Sequence, residues 1–456
     1  MKNQGMIVTY VLVFGGVFLL LLSGLLGFIL LQHKQSLQKV AWQESLEIAE
    51  TGINYARWHL AHAPSDFGFS GIYDYKDPEG EVLGSYNIEV TTPSGCDSSV
   101  TIQSTGFTLQ YPQVQRKIKV KYAKSSLVKY GFLTNSNVWF GQDESLKGLV
   151  HSNGGIRMDG TQNSLFTSAR ETYICTRDHG CEPPEEKPGI WGQGEGGTNG
   201  LWQFPVSNVD FNSITQDLAL LKADAESFGI YISNPVDHGY HVSFKADGTM
   251  DVFRVKKLQQ KIWGWDGKDM IFESNDIALE EFEANYVLPE SCAPIFIENN
   301  VWVDGVVKGR VTLVAARLPE LPNKMRKIII NGDIDYADAN STLGLIAQKD
   351  ILIPFYAPEN LSIKAGMLAQ KGHVMRYFYM PWEEEPYQTY ALRNHIETYG
   401  SIISNDSWTF NWGSEGIVWS GYQTTEMVYD PNLTYNPPPY FPTMGEYEFI
   451  SWEELP

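Results

Sequence analysis

The chain has 456 residues, with 54 acidic and 34 basic side chains and a formal net charge of −20. This charge argues against nucleic-acid binding, which needs a basic surface. Aromatic residues make up 13% of the chain and glycine occurs 41 times, a composition typical of a folded, turn-rich protein. Because the chain is too long for one ordinary core, we expect two or three modules.

The first element is a stretch without any charged side chain, from Met6 to Gln32. As a helix it would be about 40 Å long, more than the roughly 30 Å of bilayer hydrocarbon. A cleaved secretory signal has a shorter apolar region followed by small residues, whereas His33 and Lys34 follow here. We therefore predict a retained transmembrane helix in the cell membrane. Basic residues flank both of its ends, so the β-rich character of the remainder places the bulk of the chain outside the cytoplasm.

The helix is expected to continue beyond the membrane, because no proline occurs after it until Pro64. Apolar residues recur at helical spacing between Leu37 and Leu60, which predicts an amphipathic helix ending near Ala63. Three segments that alternate apolar and polar residues follow: Ser85–Pro93, Ser99–Thr108 and Gln115–Ala123. They predict a small antiparallel sheet against which the apolar stripe of the helix packs.

A motif of the form G-x-[VIL]-x-[SQ]-[NK]-[GD] recurs beyond Lys124. Its copies are Gly148–Gly154, Gly344–Asp350, Gly366–Gly372 and Gly400–Asp406. The spacing of the two middle copies suits one coil of a β-solenoid, in which equivalent residues of successive coils stack. The alternative is a chance similarity among turn-rich β segments; we favour the solenoid.

The repeat is interrupted at about residues 178–289, which contain a candidate helix, Phe211–Gly229, and a hairpin, Tyr240–Lys257. The predicted fold class is α+β, mainly β, with a long N-terminal helix, a small antiparallel sheet and a parallel β-helix (solenoid)-like domain carrying an inserted helix and hairpin. The predicted domains are residues 1–5 as a leader, 6–63 as the helix (6–32 transmembrane), 64–124 as the antiparallel module, 125–428 as the solenoid and 429–456 as a Pro- and Tyr-rich tail. We expect that tail to lie extended over the surface rather than to add core.

Four cysteines occur in the chain. Cys175 and Cys181 bracket a short loop and are a candidate disulfide in an oxidising compartment. Zinc bound by this pair and His179 is the alternative, although the spacing is unusual and no fourth ligand is evident. The sequence does not assign partners to Cys96 and Cys292.

An oxygen-rich cluster follows one predicted strand. Asp333, Asp335 and Asp338 supply the ligand type that Ca²⁺ prefers. Strand alternation places Asp333 and Asp335 on one face but does not by itself bring Asp338 to them. A solvated turn is the alternative to this weak calcium site.

The N-terminus resembles that of type IV pilin-like proteins. The leader MKNQG precedes the apolar helix, and the resemblance implies cleavage by a prepilin peptidase between Gly5 and Met6. The segment Ser45–Leu60 is similar to the AxxxAEAGxxxA segment of PilX-type pilus assembly proteins. Glu47, Ala49, Glu50, Gly52 and Ala56 carry that match. The later part resembles, more loosely, the β-helical C-terminal regions of large bacterial proteins that share such N-termini.

One departure from the pilin pattern concerns the fifth residue of the processed chain. Pilins usually carry Glu there, paired with the terminal amine of a neighbouring subunit, whereas this chain has Tyr10. A carboxylate in lipid is costly unless it is paired, so its absence disfavours a major, self-polymerising subunit. We expect a non-enzymatic minor pilin-like protein that displays its β domain for assembly or adhesion. Its partners would be the membrane and other pilin-like subunits or assembly proteins.

Motifs for catalysis are lacking in the sequence, which has no P-loop, H-E-x-x-H, G-x-S-x-G or Rossmann fingerprint. We therefore expect no catalytic residues and no cofactor apart from the weak calcium site. The alternatives are a surface binding module and a membrane-tethered polysaccharide hydrolase or lyase, which would need paired acids along one groove.

Several aromatic side chains fall in surface-prone segments of the solenoid and its insertion. They are Trp263, Trp265, Trp408, Phe410, Trp412, Trp419 and Tyr422. Alternating aromatics on an outer face would stack on surface glycans, which are thus a further candidate partner. We favour the other interpretation, in which they form buried ladders inside the β domain.

Overall fold

The computed structural model describes residues 4–93, 99–211, 218–234, 238–288, 293–414 and 417–456. The chain is mainly β, with one long apolar helix at its N-terminus. It divides into two compact units. The first holds the described residues up to Lys124 and again from Gly445 onward, and the second holds those from Ser125 to Met444.

The described α-helices are α1 (Gln4–His62), α2 (Leu218–Phe228), α3 (Tyr387–Tyr390) and α4 (Asn432–Tyr435). The first strands are β1 (Gly71–Lys76), β2 (Val82–Thr91), β3 (Val100–Thr108), β4 (Gln115–Ser126), β5 (Phe132–Thr134), β6 (Val138–Phe140), β7 (Glu144–Lys147), β8 (Val150–Ser152), β9 (Ile156–Met158), β10 (Thr161–Gln162), β11 (Phe166–Ser168), β12 (Thr172–Cys175), β13 (Glu185–Pro188), β14 (Ile190–Trp191) and β15 (Trp202–Gln203).

The next strands are β16 (Ile230–Ile232), β17 (Gly239–Lys245), β18 (Thr249–Leu258), β19 (Ile262–Trp265), β20 (Met270–Glu273), β21 (Ile277–Val287), β22 (Ala293–Ile297), β23 (Asn300–Val307), β24 (Arg310–Ala315), β25 (Ile328–Tyr336), β26 (Thr342–Ala347), β27 (Ile351–Ile353), β28 (Asn360–Ala369), β29 (Val374–Arg376), β30 (Leu392–Ser404), β31 (Trp408–Thr409), β32 (Asn411–Ser414), β33 (Ile417–Tyr429) and β34 (Thr443–Leu455).

The first unit packs the second half of α1 on a five-stranded sheet of order β1-β2-β3-β4-β34. The pairs β1–β2, β2–β3 and β3–β4 are antiparallel, as the alternation predicts for the last two of these pairs. Strand β3 alternates strictly between buried and half-buried residues, so one sheet face meets the helix. The helix buries one face at helical spacing: Ala41, Ser45, Ile48, Ala49, Gly52, Ile53, Ala56 and Leu60.

The C-terminal segment differs from the extended tail expected from the sequence. Leu433 and Phe441 are buried in an outer core of the second unit. Strand β34 then joins the sheet of the first unit beside β4, where Glu454 pairs with Arg116. Proline and tyrosine suggested a surface tail, but an alternating segment gains backbone partners when it finds an open sheet edge.

The second unit is built on a 22-stranded sheet whose pairings are mostly parallel. One ladder runs β16-β22-β24-β26-β28-β30-β5-β8-β11-β15. Another runs β17-β23-β25-β27-β29-β31, and a third runs β30-β33-β7-β10. The sheet is mixed, because β17–β18, β18–β21 and β32–β33 are antiparallel.

Inward residues of the first ladder stack in register through the core of the second unit. In spatial order they are Ile230, Ile295, Leu313, Leu345, Met367, Ile402, Phe132, Val150 and Phe166. The segments 132–203 therefore stack after β30, although they precede it in the chain. The side chain of Asn135 joins those of Asn405 and Asn153, at 3.0 and 2.7 Å.

The recurring motif corresponds to these stacked strands. Gly344 pairs with Gly366, but Gly366 pairs with Ser401 and not with Gly400. The copy at Gly400 thus has one extra residue before the apolar residues Ile402 and Ile403, which pair with Met367 and Leu368. Of the elements predicted for the insertion, the structure describes the antiparallel hairpin β17–β18 and the part of the predicted helix that forms α2, while residues 212–217 lie outside the described residues. Strands β16 and β17 pair in parallel with β22 and β23, so these two strands of the predicted insertion belong to the stacked ladders.

Candidate functional site

The first half of α1 is the most unusual surface of the molecule. Every residue from Ile7 to Leu37 is exposed, although this part of the helix is strongly apolar, and none of its most apolar stretch is buried. Exposed apolar surface of this extent is unfavourable in water. By length and composition this helix can cross a membrane, which fits a single-pass membrane protein.

The second half of α1 approaches its sheet so closely that small residues are required. A Cβ atom on Gly106 of β3 would lie 2.3 Å from the carbonyl oxygen of Ser45 and 2.4 Å from the amide nitrogen of Ala49. A Cβ atom on Gly52 of the helix would lie 2.3 Å from Oγ of Ser104. The Ala-Glu-x-Gly segment therefore has a packing function: its small residues face the sheet and Glu50 is exposed.

The predicted processing residues lie in the first turns of α1, which begins at Gln4. Gly5 and Met6 are thus helical, and their cleavage remains a prediction. Tyr10 is exposed, because it lies in the first half of α1, which no other part of the described chain covers.

The chain has little similarity to known proteins. No protein-family model matches the sequence, and no curated protein matches it significantly. Among solved structures, the competence-associated pilin ComZ from Thermus thermophilus aligns with 12% identity over 91% of this chain and 97% of that chain, at a TM-score of 0.30.

The loop bracketed by Cys175 and Cys181 is closed by a disulfide, with an S–S distance of 2.01 Å. The alternative zinc site is wrong for this geometry, because bonded sulfurs cannot act as thiolate ligands. Burial lowers the pKa of His179 in the same loop. Cys96 and Cys292 lie outside the described residues.

The carboxylates predicted as a weak calcium site each have protein partners. Asp333 accepts the amide N–H of Ser362 at 2.9 Å, and Asp338 accepts that of Asn340 at 2.9 Å. A hydrogen bond from Lys364 at 2.7 Å lowers the pKa of Asp335. Within the described ranges, no three His, Cys, Asp or Glu side chains are arranged to hold a metal. Calcium binding stays a prediction that these contacts do not favour.

The aromatic residues singled out from the sequence separate into three groups by burial. Trp408, Phe410 and Tyr422 are buried in the core of the second unit, as expected for an interior ladder. Trp263 and Trp419 are exposed, at 46% and 45%, and Trp265 and Trp412 are half-buried. Trp263 lies in the hairpin β19–β20.

Neighbouring aromatic residues were missed by sequence reasoning. Phe272 lies opposite Trp263 in the hairpin, and Phe378 and Trp382 follow β29. The alternation of large apolar residues in Ile262–Trp265 and Met270–Glu273, joined by Asp266-Gly267, is the signal that could have revealed the hairpin.

Proposed function

We propose that this chain is a non-catalytic, single-pass, membrane-anchored pilin-like subunit that carries its β domain outside the cytoplasm. The observation that supports this most directly is the division of α1. Its apolar first half has no protein contacts that bury it, and its second half forms one core with an antiparallel sheet. A helix of this kind anchors the subunit in lipid before assembly and offers an apolar surface to other subunits afterwards.

A minor position in the assembly suits the residues at the start of the helix. Tyr10 takes the place of the carboxylate that would pair with the amine of a neighbouring subunit. A subunit without that pairing group is better suited to an end of a type IV pilus or related pseudopilus than to its repeating shaft. Other pilin-like subunits or assembly proteins are the partners that this role requires.

The displayed domain is, in this proposal, a parallel β-solenoid. The support comes from the in-register ladder of inward residues from Ile230 to Phe166 and from the asparagine contacts at one corner. Coils stacked in this way form a stiff body with extended faces, which suits adhesion or assembly at a surface.

The experiment that tests the proposal is N-terminal sequencing of the protein isolated from its native membrane. We expect the mature chain to begin at Met6 when the prepilin peptidase is present and at Met1 when its gene is deleted. The matched control is the variant Gly5→Leu, which should retain Met1 in both strains.

An intact Met1 in the presence of the peptidase would overturn the pilin-like part of the proposal. A chain starting beyond Gln32 would also overturn the membrane anchor. In either case the second unit would remain a surface or secreted β domain of another kind.

A further inference from the structure

The hairpin β19–β20 has one buried and one exposed face. Its register places Trp263 opposite Phe272 and Trp265 opposite Met270. Successive residues of a strand point to opposite faces, so these side chains share the outward face. Trp263 is 46% exposed and Phe272 is 48% exposed, which are high values for paired large rings.

The rings form two contacting groups, which the outward face of the hairpin connects. The rings of Trp263 and Phe272 stack at 4.7 Å, and Trp265 contacts Trp412 at 5.2 Å and Phe378 at 6.5 Å. Phe378 in turn contacts Trp382 at 5.7 Å, and Trp382 is 66% exposed. We call this surface the aromatic platform; it consists of Trp263, Trp265, Phe272, Phe378, Trp382 and Trp412.

The hairpin that carries part of the platform is fixed on the body of the second unit. The amide N–H of Trp263 donates to the hydroxyl of Tyr387 at 2.8 Å. Behind it, a Cβ atom on Gly264 would lie 3.0 Å from Cβ of Tyr377. The hairpin is thus held closely against the segment after β29.

A buried cation holds the segments behind the other rings of the platform. The guanidinium of Arg376 is fully buried and donates to the carbonyl groups of Phe355, Tyr390 and Ala391. The indole N–H of Trp412 donates to the carbonyl of Arg376 at 2.8 Å. A ring held in place as that of Trp412 is loses little conformational freedom when a ligand binds.

The charges around the platform restrict what it can bind. Asp266 and Asp269 lie in the turn of the hairpin, and an exposed acidic run, Glu383–Glu385, follows Trp382 directly. Two lysines lie among these acids: Lys261, whose ammonium is 5.8 Å from the ring centre of Phe272, and Lys268, which is exposed in the turn between the two aspartates. The five acids outnumber them, and the chain as a whole carries a charge of −20. These acids repel a polyanion, and their oxygens accept hydrogen bonds from hydroxyl groups.

We propose that the aromatic platform binds an uncharged polysaccharide, with Trp263 and Trp382 stacking on the C–H faces of its sugar rings. The platform consists of aromatic rings, and Met270 beside it is an exposed aliphatic neighbour. Such a surface suits flat sugars better than the mixed aliphatic and aromatic core of a protein interface does. The inference rests on the proposed function for the extracytoplasmic location of the platform. The binding itself depends neither on processing nor on pilus assembly.

The test is calorimetric titration of the full chain in a detergent whose headgroup is not a sugar. Cellohexaose and chitohexaose are the uncharged probes, and an oligogalacturonate of similar length is the acidic probe. We expect at least one uncharged hexasaccharide to bind and the oligogalacturonate not to bind. Trp263→Ala and Trp382→Ala should each weaken binding by roughly tenfold, the loss expected for one stacked ring.

Matched variants distinguish stacking from loss of fold. Trp382→Phe keeps an aromatic ring and should retain most of the affinity. Trp452→Ala removes an indole that is also 46% exposed but lies on β34 in the first unit, and it should leave binding unchanged.

Several results would overturn the proposal. The first is that neither uncharged hexasaccharide binds. The second is that Trp263→Ala and Trp382→Ala bind the sugar with the same affinity as the native chain. The third is that the oligogalacturonate binds more tightly than the uncharged hexasaccharides. Self-association of the chain that Trp382→Ala abolishes, without any sugar binding, would identify the platform as a protein interface instead. None of these results bears on the N-terminal sequence, so the two proposals fail separately.

Discussion

His241 is held between two carboxylates inside the second unit. Its ring nitrogens lie 2.9 Å from Glu280 of β21 and 2.9 Å from Asp304 of β23, and its ring stacks on Phe253 of β18. Burial alone would lower the pKa of His241, but the two carboxylates outweigh it and raise the pKa above the ordinary value of 6.5. The cation therefore joins three strands of the sheet.

This arrangement predicts a loss of stability with rising pH. Because the folded pKa of His241 is raised, its contribution is complete below about pH 6.5, the ordinary histidine pKa, and is lost as the pH rises through the folded pKa. We expect the melting temperature of the second unit to fall more between about pH 6 and pH 9 in the native chain than in His241→Gln. Parallel melting curves for the two proteins over this range would contradict the prediction.

At the residue scale, the sequence contained the signals that depend on local spacing. The small residues Ala49, Gly52 and Ala56 recur at helical spacing, so their common face was readable. The aromatic platform was not, since it joins a hairpin at 262–273 with residues more than a hundred positions later. Only the packing of distant segments decides that Trp408 is buried and that Trp382 is exposed.

The contact between α1 and its sheet tolerates no added side chain at Gly106. Gly106→Ala would place a methyl group against the backbone of two successive helix turns, and we expect it to destabilise the first unit by about 1–3 kcal/mol. Chemical denaturation of the full chain in detergent measures this. Gly24→Ala is the matched control, because a Cβ atom there meets no atom within 4 Å. Equal unfolding midpoints for the two variants would show that the helix can move away from the sheet without cost.

At the scale of elements, period-two alternation predicted β2, β3 and β4 but missed β1 and β34. Strand β34 also alternates apolar and polar residues, but its partner β4 lies far earlier in the chain. The sequence around β34 contains no signal for a partner that distant. The recurring motif pointed to stacked strands, but it could not show that residues 132–203 stack after β30. The stacking order depends on β5 pairing with the free edge of β30, a contact between segments far apart in the chain.

Strand β34 gives a prediction for the whole chain. Ending the protein at Met444 removes Glu454, the partner of Arg116, and Tyr447, whose ring faces the ammonium of Lys124. We expect the first unit to become susceptible to proteolysis while the second unit keeps its melting temperature. Deleting Pro456 alone, which follows β34, is the control and should change neither property. Unchanged protease resistance of the first unit would show that four strands suffice.

The position of β34 also has a consequence for biogenesis. The sheet on α1 is begun by β1 to β4 and completed by β34, and the described second unit is translated between β4 and β34. During synthesis the anchor is in place early, and the edge of β4 stays open until the second unit and β34 have been translated. A prematurely terminated chain would therefore present an unpaired strand edge beside the membrane, where proteases that act on incomplete proteins can recognise it.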